Sequence, residues 1–288
     1  MEKNIKLNER FIKQLVKKYG TPLFLIQASR LKERVRLFRE FLPRVEPFYA
    51  MKANPQLSIL KFFLKNGFGF DVASKNEIET VLKLGANPEK LIFANTVKSP
   101  ESLKFAQKNK VMLMTFDSEY ELAKIARFCP DARVVVRIKV PNVGSIVELS
   151  LKFGAEPADA IPLLIKAYKM GLKPAGVSFH VGSQCLEVSN FVEALEISSI
   201  IFHDALLKKI PLEILDIGGG FPIVHSDSES DIFPSMAERI STELDRLFDK
   251  NIKIIAEPGR FLVGPACVLI TRVIGKSIRN NKHWYYLD

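Results

Sequence analysis

An eight-stranded parallel α/β barrel is the fold this sequence predicts, and three observations point to it. Short apolar runs of strand character alternate with amphipathic helical stretches between about residue 45 and residue 256, as expected of successive βαβ units. Eight such units can be counted, which suits a closed barrel better than an open sheet. A polar residue or a glycine interrupts the apolar pattern at the same end of every run, as at a barrel mouth that carries functional loops. The 288 residues suffice for one barrel of about 250 residues and a short remainder.

Residues 21–26 read as a first strand and 28–41 as an amphipathic helix. Barrel strands are expected at 47–50, 69–72, 91–94, 111–116, 132–140, 175–181, 212–217 and 252–256, from their apolar, β-branched and aromatic content. Helical periodicity fills the gaps at 58–65, 77–84, 100–108, 118–128, 157–169, 190–207 and 234–248. The strand ends then place Lys52, Asp71, Asn95, Asp117, Arg137, His180, Gly218-Gly219-Gly220 and Glu257 around one rim. Caps, turns and satisfied core polar groups explain two or three of these; they explain eight poorly.

The net charge of +10 comes from 42 Lys and Arg against 32 Asp and Glu. A basic excess can mark a nucleic-acid or anionic surface. Here Lys17, Lys18, Arg34, Lys61, Lys83, Lys124 and Lys166 are spread over helical segments without an aromatic-interleaved stripe. That dispersal reads as solvated helix faces, and no nucleic-acid partner is expected. Cys129, Cys185 and Cys267 are odd in number, far apart and without a C-x-x-C pair, so neither a disulfide frame nor a zinc site is indicated. His180, His203, His225 and His283 form no ligand cluster with acids at metal spacing. No window reaches the ~18 apolar residues of a membrane span, and the charged first residues lack the apolar core of a signal peptide. A soluble cytoplasmic protein with no metal and no membrane partner is the expectation.

The chemistry concentrates in Ile254-Ile255-Ala256-Glu257-Pro258-Gly259-Arg260. An apolar strand ends in a carboxylate, followed by a glycine that permits close main-chain approach and a guanidinium whose planar fork suits phosphate. This is the pattern of a seat for a phosphorylated cofactor with a cationic ring, or of a plain strand and turn. Gly218-Gly219-Gly220-Phe221-Pro222 allows main-chain N–H groups to cradle an anion, and barrel phosphate sites often use the loops after strands seven and eight. Lys52 in Tyr49-Ala50-Met51-Lys52-Ala53-Asn54-Pro55 is either a solvated surface lysine or, losing charge by partial burial, a Schiff-base amine. His180 is either a satisfied core residue or a ring that stacks on a cofactor, with Ser183 hydrogen-bonding the phosphate. Cys185 reads as a buried spectator.

The segments around Lys52, Asp71-Val72-Ala73-Ser74-Lys75, His180, Asp216 to Pro222 and Glu257 to Arg260 resemble the pyridoxal-phosphate decarboxylases with an alanine-racemase-like barrel. Within that group the chain is most similar to the ornithine decarboxylases and their bacterial relatives that also accept lysine. The motifs keep the family's order and spacing from about Thr21 to the last residue. Lys152-Phe153-Gly154-Ala155 adds to the ornithine-type likeness, while Gln184 after Ser183 is shared with other branches.

The resemblance implies that Lys52 holds pyridoxal 5'-phosphate covalently, that Glu257 pairs with the pyridine nitrogen and that His180 stacks on the ring. These three are the implied catalytic residues. Ser183, Gly219, Gly220, Gly259 and Arg260 are implied around the phosphate, and Asp71, Glu77 and Arg137 at polar positions lining the cofactor site. Racemases of this fold place an arginine at the ring nitrogen, so Glu257 favours decarboxylation over racemisation. The implied activity is decarboxylation of a small basic amino acid, ornithine first and lysine second, to a diamine of polyamine synthesis, by a homodimer. The alternatives are a diaminopimelate or carboxynorspermidine decarboxylase, or a non-catalytic binding homologue like the antizyme inhibitors.

The expected organisation is an N-terminal segment, 1–27, that pairs with a β-domain, a barrel at 28–265, and the start of that β-domain at 266–288. In the family this last strand continues into further β-structure that supplies a cysteine, an aspartate and a tyrosine to the dimer's sites. The expectation is therefore a piece of a longer enzyme rather than a naturally short form, since a lone strand pair would leave open edges.

Overall fold

The computed structural model describes residues 7–142, 145–147, 152–224 and 231–288. The described residues form two compact units, one running from Leu37 to Phe261 and one combining the segment up to Arg36 with the segment from Leu262 onward.

The strands in chain order are β1 (Leu23–Ile26), β2 (Val45–Ala50), β3 (Gly69–Val72), β4 (Leu91–Phe93), β5 (Leu113–Phe116), β6 (Arg133–Arg137), β7 (Ser145–Val147), β8 (Lys173–Ser178), β9 (Ser183–Cys185), β10 (Ile214–Asp216), β11 (Lys253–Ala256), β12 (Cys267–Ile270), β13 (Val273–Arg279) and β14 (Lys282–Leu287). The helices are α1 (Glu9–Tyr19), α2 (Ala28–Phe41), α3 (Leu57–Lys65), α4 (Lys75–Lys83), α5 (Pro100–Lys108), α6 (Glu119–Phe128), α7 (Ala160–Lys169), α8 (Val188–Leu207), α9 (Phe233–Leu247) and α10 (Arg260–Val263). β2, β3, β4, β5, β6, β8, β10 and β11 close into one barrel, each strand parallel to its neighbours. The fold is the α/β barrel that the alternation predicts.

Serine caps start the helices where the periodicity places them. The Ser74, Ser99 and Ser118 side chains accept from the N–H groups of Glu77, Ser102 and Glu121, meeting donors that the first helical turn leaves unpaired. Inside the barrel, Phe48, Ile92, Ala94, Val135, Ala175, Ile214 and Ile255 pack into one buried cluster. Side chains alternate along a strand, so residues two positions on share the interior side. Val135 is thus followed by Arg137, Ile214 by Asp216 and Ile255 by Glu257. Ile92 lies in register with Asp71, which puts Asp71 on that side too. Apolar packing below therefore determines which polar groups converge above it.

Outside the barrel, Phe38, Phe221, Phe233 and Phe261 interlock. Phe233 lies 4.0 Å from Phe261, 6.0 Å from Phe221 and 6.3 Å from Phe38 between ring centroids.

The structure departs from the expected elements in several places. β6 stops at Arg137 and β8 at Ser178, so His180 sits two residues beyond a strand rather than at its end. β7 and β9 form an antiparallel pair, Ser145 opposite Cys185 and Val147 opposite Ser183; three-residue strands with a distant partner carry no alternation of their own. α1 is also additional. Asn8 caps it by accepting from the Phe11 N–H, and Phe11, Ile12, Leu15 and Val16 form its half-buried stripe. β1 pairs antiparallel with β12, and β13 with β14.

Phe233→Ala should lower unfolding free energy by about 3–5 kcal/mol, and Phe233→Leu by about 1 kcal/mol. Chemical denaturation checks both; equal losses would show that ring packing is not what holds this cluster.

Candidate active site

A cleft of about 330 Å³ opens at the C-terminal rim of the barrel, lined by Ala50, Lys52, Ala53, His180, Ser183, Gln184, Gly220, Phe221, Glu257, Gly259, Arg260 and Phe261. Seven of the sequence-derived residues meet there: Lys52, His180, Ser183, Gly220, Glu257, Gly259 and Arg260.

Lys52 stands on the single turn after β2, its side chain 61% exposed, and its Nζ lies 3.2 Å from Asp71 Oδ2. Asp71 raises the lysine pKa above its usual value; burial opposes this, and Glu257 adds to it. Loss of charge by burial, one of the two readings of Lys52 from the sequence, is therefore not what this environment produces. The attraction of the Asp71 carboxylate, the largest influence on the amine, outweighs its desolvation.

His180 Nδ1 accepts a hydrogen bond from the Gly182 N–H at 3.0 Å. An accepting Nδ1 assigns the proton of the neutral ring to Nε2. Burial, then the Arg137 and Lys52 charges, hold the imidazole well below the usual histidine range.

Glu257 is 9% exposed and Asp216 fully buried. Burial first, then Asp216 and Asp71, push the Glu257 carboxyl well above the usual carboxylate range. Burial also raises Asp216, to about 6.

Main-chain hydrogen bonds join the loops around the cleft. The Glu257 N–H donates to Gly218 O at 2.7 Å, the Cys185 N–H to Gly220 O at 2.9 Å and the Ala50 N–H to Pro258 O at 3.2 Å. Gly220 has φ 102°, and a Cβ there would lie 2.3 Å from Gly182 O. At Gly259 the need is space, since a Cβ would meet Ala53 Cβ at 3.0 Å and Ala50 Cβ at 3.2 Å.

The remaining sequence-derived residues stand around the cleft without lining it. Asp71 reaches it through Lys52. Gly219 passes between the Glu257 carbonyl and the His180 ring. Arg137 packs its guanidinium over Phe153 at 5.3 Å. Glu77 accepts from the Ala73 N–H and closes the start of α4, a capping contact that directs its carboxylate at the backbone. Asn95 and Asp117, also at strand ends, bond to backbone: Asn95 Nδ2 donates to Val97 O within a turn, and Asp117 accepts from the N–H of the distant Gly154.

Sequence reasoning did not single out Asp216 or Gln184 as site residues. Asp216 left a signal, an acid inside the apolar run Ile214-Leu215-Asp216-Ile217 beside the glycines. Gln184 left none. Its amide clasps Ile223 through both N–H and C=O contacts, a pairing between distant segments. Among the described residues no group of three or more His, Cys, Asp or Glu is placed to hold a metal; His225 lies outside the described residues.

Residues 28–264 match the family described as pyridoxal-dependent decarboxylase, pyridoxal binding domain. The chain belongs to this family. It is 40% identical over 286 residues to the lysine/ornithine decarboxylase of Selenomonas ruminantium, covering 99% of this chain and 72% of that one. It is 42% identical over 243 residues to antizyme inhibitor 2 of Xenopus laevis, covering 83% of this chain and 53% of that one. Among solved structures, lysine decarboxylase from Selenomonas ruminantium superposes with a TM-score of 0.92 at 40% identity, covering 99% of this chain and 75% of that one. The arginine decarboxylase of Paramecium bursaria Chlorella virus, bound to agmatine, gives 0.90 at 31% identity, covering 96% and 75%.

As a pyridoxal-dependent decarboxylase the chain has a cleft that fits its cofactor. Small cofactors occupy pockets of roughly 300–1,000 Å³, and this one has a lysine at its mouth and a buried carboxyl at Glu257. Arg260, Ser183 and the Cβ-free main chain at Gly220 and Gly259 converge where an anion can be held.

The His180 ring signal should stay unchanged by NMR between about pH 6 and pH 8, because the neutral form persists below the ordinary histidine range. A midpoint near about 6.5 would show a solvated imidazole instead.

Proposed function

We propose that this chain decarboxylates a small basic L-amino acid, ornithine first and lysine second, to the corresponding diamine. The observation that carries the reading is one cleft holding an amine at its mouth, a buried carboxyl and an anion cradle. The activities for which the relatives are named, lysine, ornithine and arginine decarboxylation, support a basic substrate.

Pyridoxal phosphate supplies, when bound, an electron sink for the carbanion left by departing CO₂. Lys52 would hold it covalently, and its pairing with Asp71 keeps the amine directed into the cleft. Glu257 would meet the ring nitrogen; a carboxyl there supports a stronger sink than an arginine would, which favours decarboxylation over racemisation. His180, fixed in orientation by the Gly182 N–H, would present its neutral face to the ring. Ser183, Gly220, Gly259 and Arg260 would hold the phosphate, with Gly219 shaping the cradle. Asp71, Arg137 and Glu77 would set the charge around Lys52 rather than touch the cofactor.

The same reading carries a homodimer, a cytoplasmic setting, and no nucleic-acid or membrane partner. Several surface cations are paired, as in Lys90 and Lys253 with Glu46, Arg133 with Glu213 and Arg44 with Asp245, and no helix among the described residues is long and apolar enough to cross a membrane. We also propose 28–265 as the barrel unit and 1–27 with 266–288 as parts of a β-structure, a division supported by the β1–β12 pairing.

Borohydride reduction of the protein purified with pyridoxal phosphate, followed by peptide mapping, should label Lys52, and Lys52→Ala should abolish the label. Folded protein without a Lys52 label would end the reading. Labelled protein that releases no CO₂ from ornithine, lysine or arginine would favour a binding homologue. Glu257→Gln should lower kcat on the order of 10²-fold, the scale seen when one preorganised electrostatic group is lost.

A further inference from the structure

Asp216 is a carboxyl that the proposed chemistry does not use, yet it is more deeply buried than any other acid at the rim. Its Oδ1 accepts from the Gly218 N–H at 2.9 Å. Its Oδ2 is buried and has no hydrogen-bond donor. An orphaned buried carboxylate oxygen has lost its water and gained no donor in return, which folded proteins rarely tolerate. The side chain within hydrogen-bonding reach is the Glu257 carboxyl. Two ionised carboxyls cannot donate to each other, so a proton on Glu257 is what satisfies Oδ2.

The charge balance of the cluster points the same way. Asp71, Asp216 and Glu257 face the cations of Lys52 and Arg137. His180 is neutral, and Glu77, at the cluster's edge, is tied to the Ala73 N–H. Three acids, Asp71, Asp216 and Glu257, crowd together where two of them have lost their water, and sharing one proton relieves that repulsion.

We propose that Asp216 and Glu257 hold one proton between them, and that Asp216 is the positioning residue that keeps Glu257 protonated before the cofactor arrives. The ring nitrogen of pyridoxal phosphate would then be met by a hydrogen-bond donor already in place. The main chain enforces the approach: Ile217 N–H donates to Ile255 O and Glu257 N–H to Gly218 O, so the two strand ends are held side by side with both acids on the interior side. The significance for catalysis rests on the proposed function; the shared proton does not.

Infrared difference spectra of the cofactor-free protein test the pair directly. At neutral pH the wild-type chain should show a protonated-carboxyl band that Glu257→Gln removes. In Asp216→Asn the pH midpoint for losing that band should fall by about one unit or more, a tenfold loss of proton affinity. The asparagine keeps the Gly218 contact, so its thermal midpoint should stay near wild type, whereas Asp216→Ala should lose both. No protonated band in the wild type, or an unmoved midpoint in Asp216→Asn, would overturn the proposal. Failure to label Lys52 while the band behaves as expected would strike the proposed function and leave the proton pair standing.

Discussion

Charge taken out of water at one rim of the barrel is the constraint on which the rest of the site depends. Asp216 is fully buried and Glu257 nearly so, and ionised carboxylates of that kind are tolerated only when paired or hydrogen-bonded. The compensating cations must therefore come from other strands: Lys52 follows β2 and Arg137 ends β6, while Asp71 in β3 adds a third acid and pairs with Lys52. A parallel barrel is suited to this, because every strand delivers its C-terminal end to the same rim. The apolar layer below, from Phe48 to Ile255, sets which side chains of each strand face inward.

A second buried polar system lies away from the cleft. Lys98, fully buried, donates from Nζ to Thr115 O, lies 3.4 Å from Glu121 Oε1 and donates its own N–H to that carboxylate at 3.1 Å. Burial lowers its pKa to about 8. Glu121 also receives Lys124. The contacts tie the turn after β4 to β5 and α6.

The barrel was legible because parallel strands buried on both faces read as apolar runs, and capped helices between them carry their own periodicity. That Lys52, Glu257, Gly259 and Arg260 share one rim was legible because each stands at or just past the end of such a run. Glu77 shows the limit of that logic: Ser74-x-x-Glu77 has the spacing of a capping box, and its carboxylate turns to the Ala73 N–H. Lys52 shows another. Its charge is set by Asp71, nineteen residues away in sequence, and no local pattern reports that attraction. The β7–β9 pair and the Gln184 clasp on Ile223 were invisible for the same reason, since both join distant segments through contacts that leave no periodic trace.

Local chemistry, written in the order of residues, determined the alternation of strands and helices, the rim on which function falls, and the residue types able to hold a phosphate and an amine-bound cofactor. Tertiary structure decided which of those residues share a cleft, which acids lose their water, and which of them must carry a proton. Secondary structure follows from neighbours a few positions apart, whereas the proton affinity of a buried group follows from desolvation and from charges that only the closed barrel brings within reach.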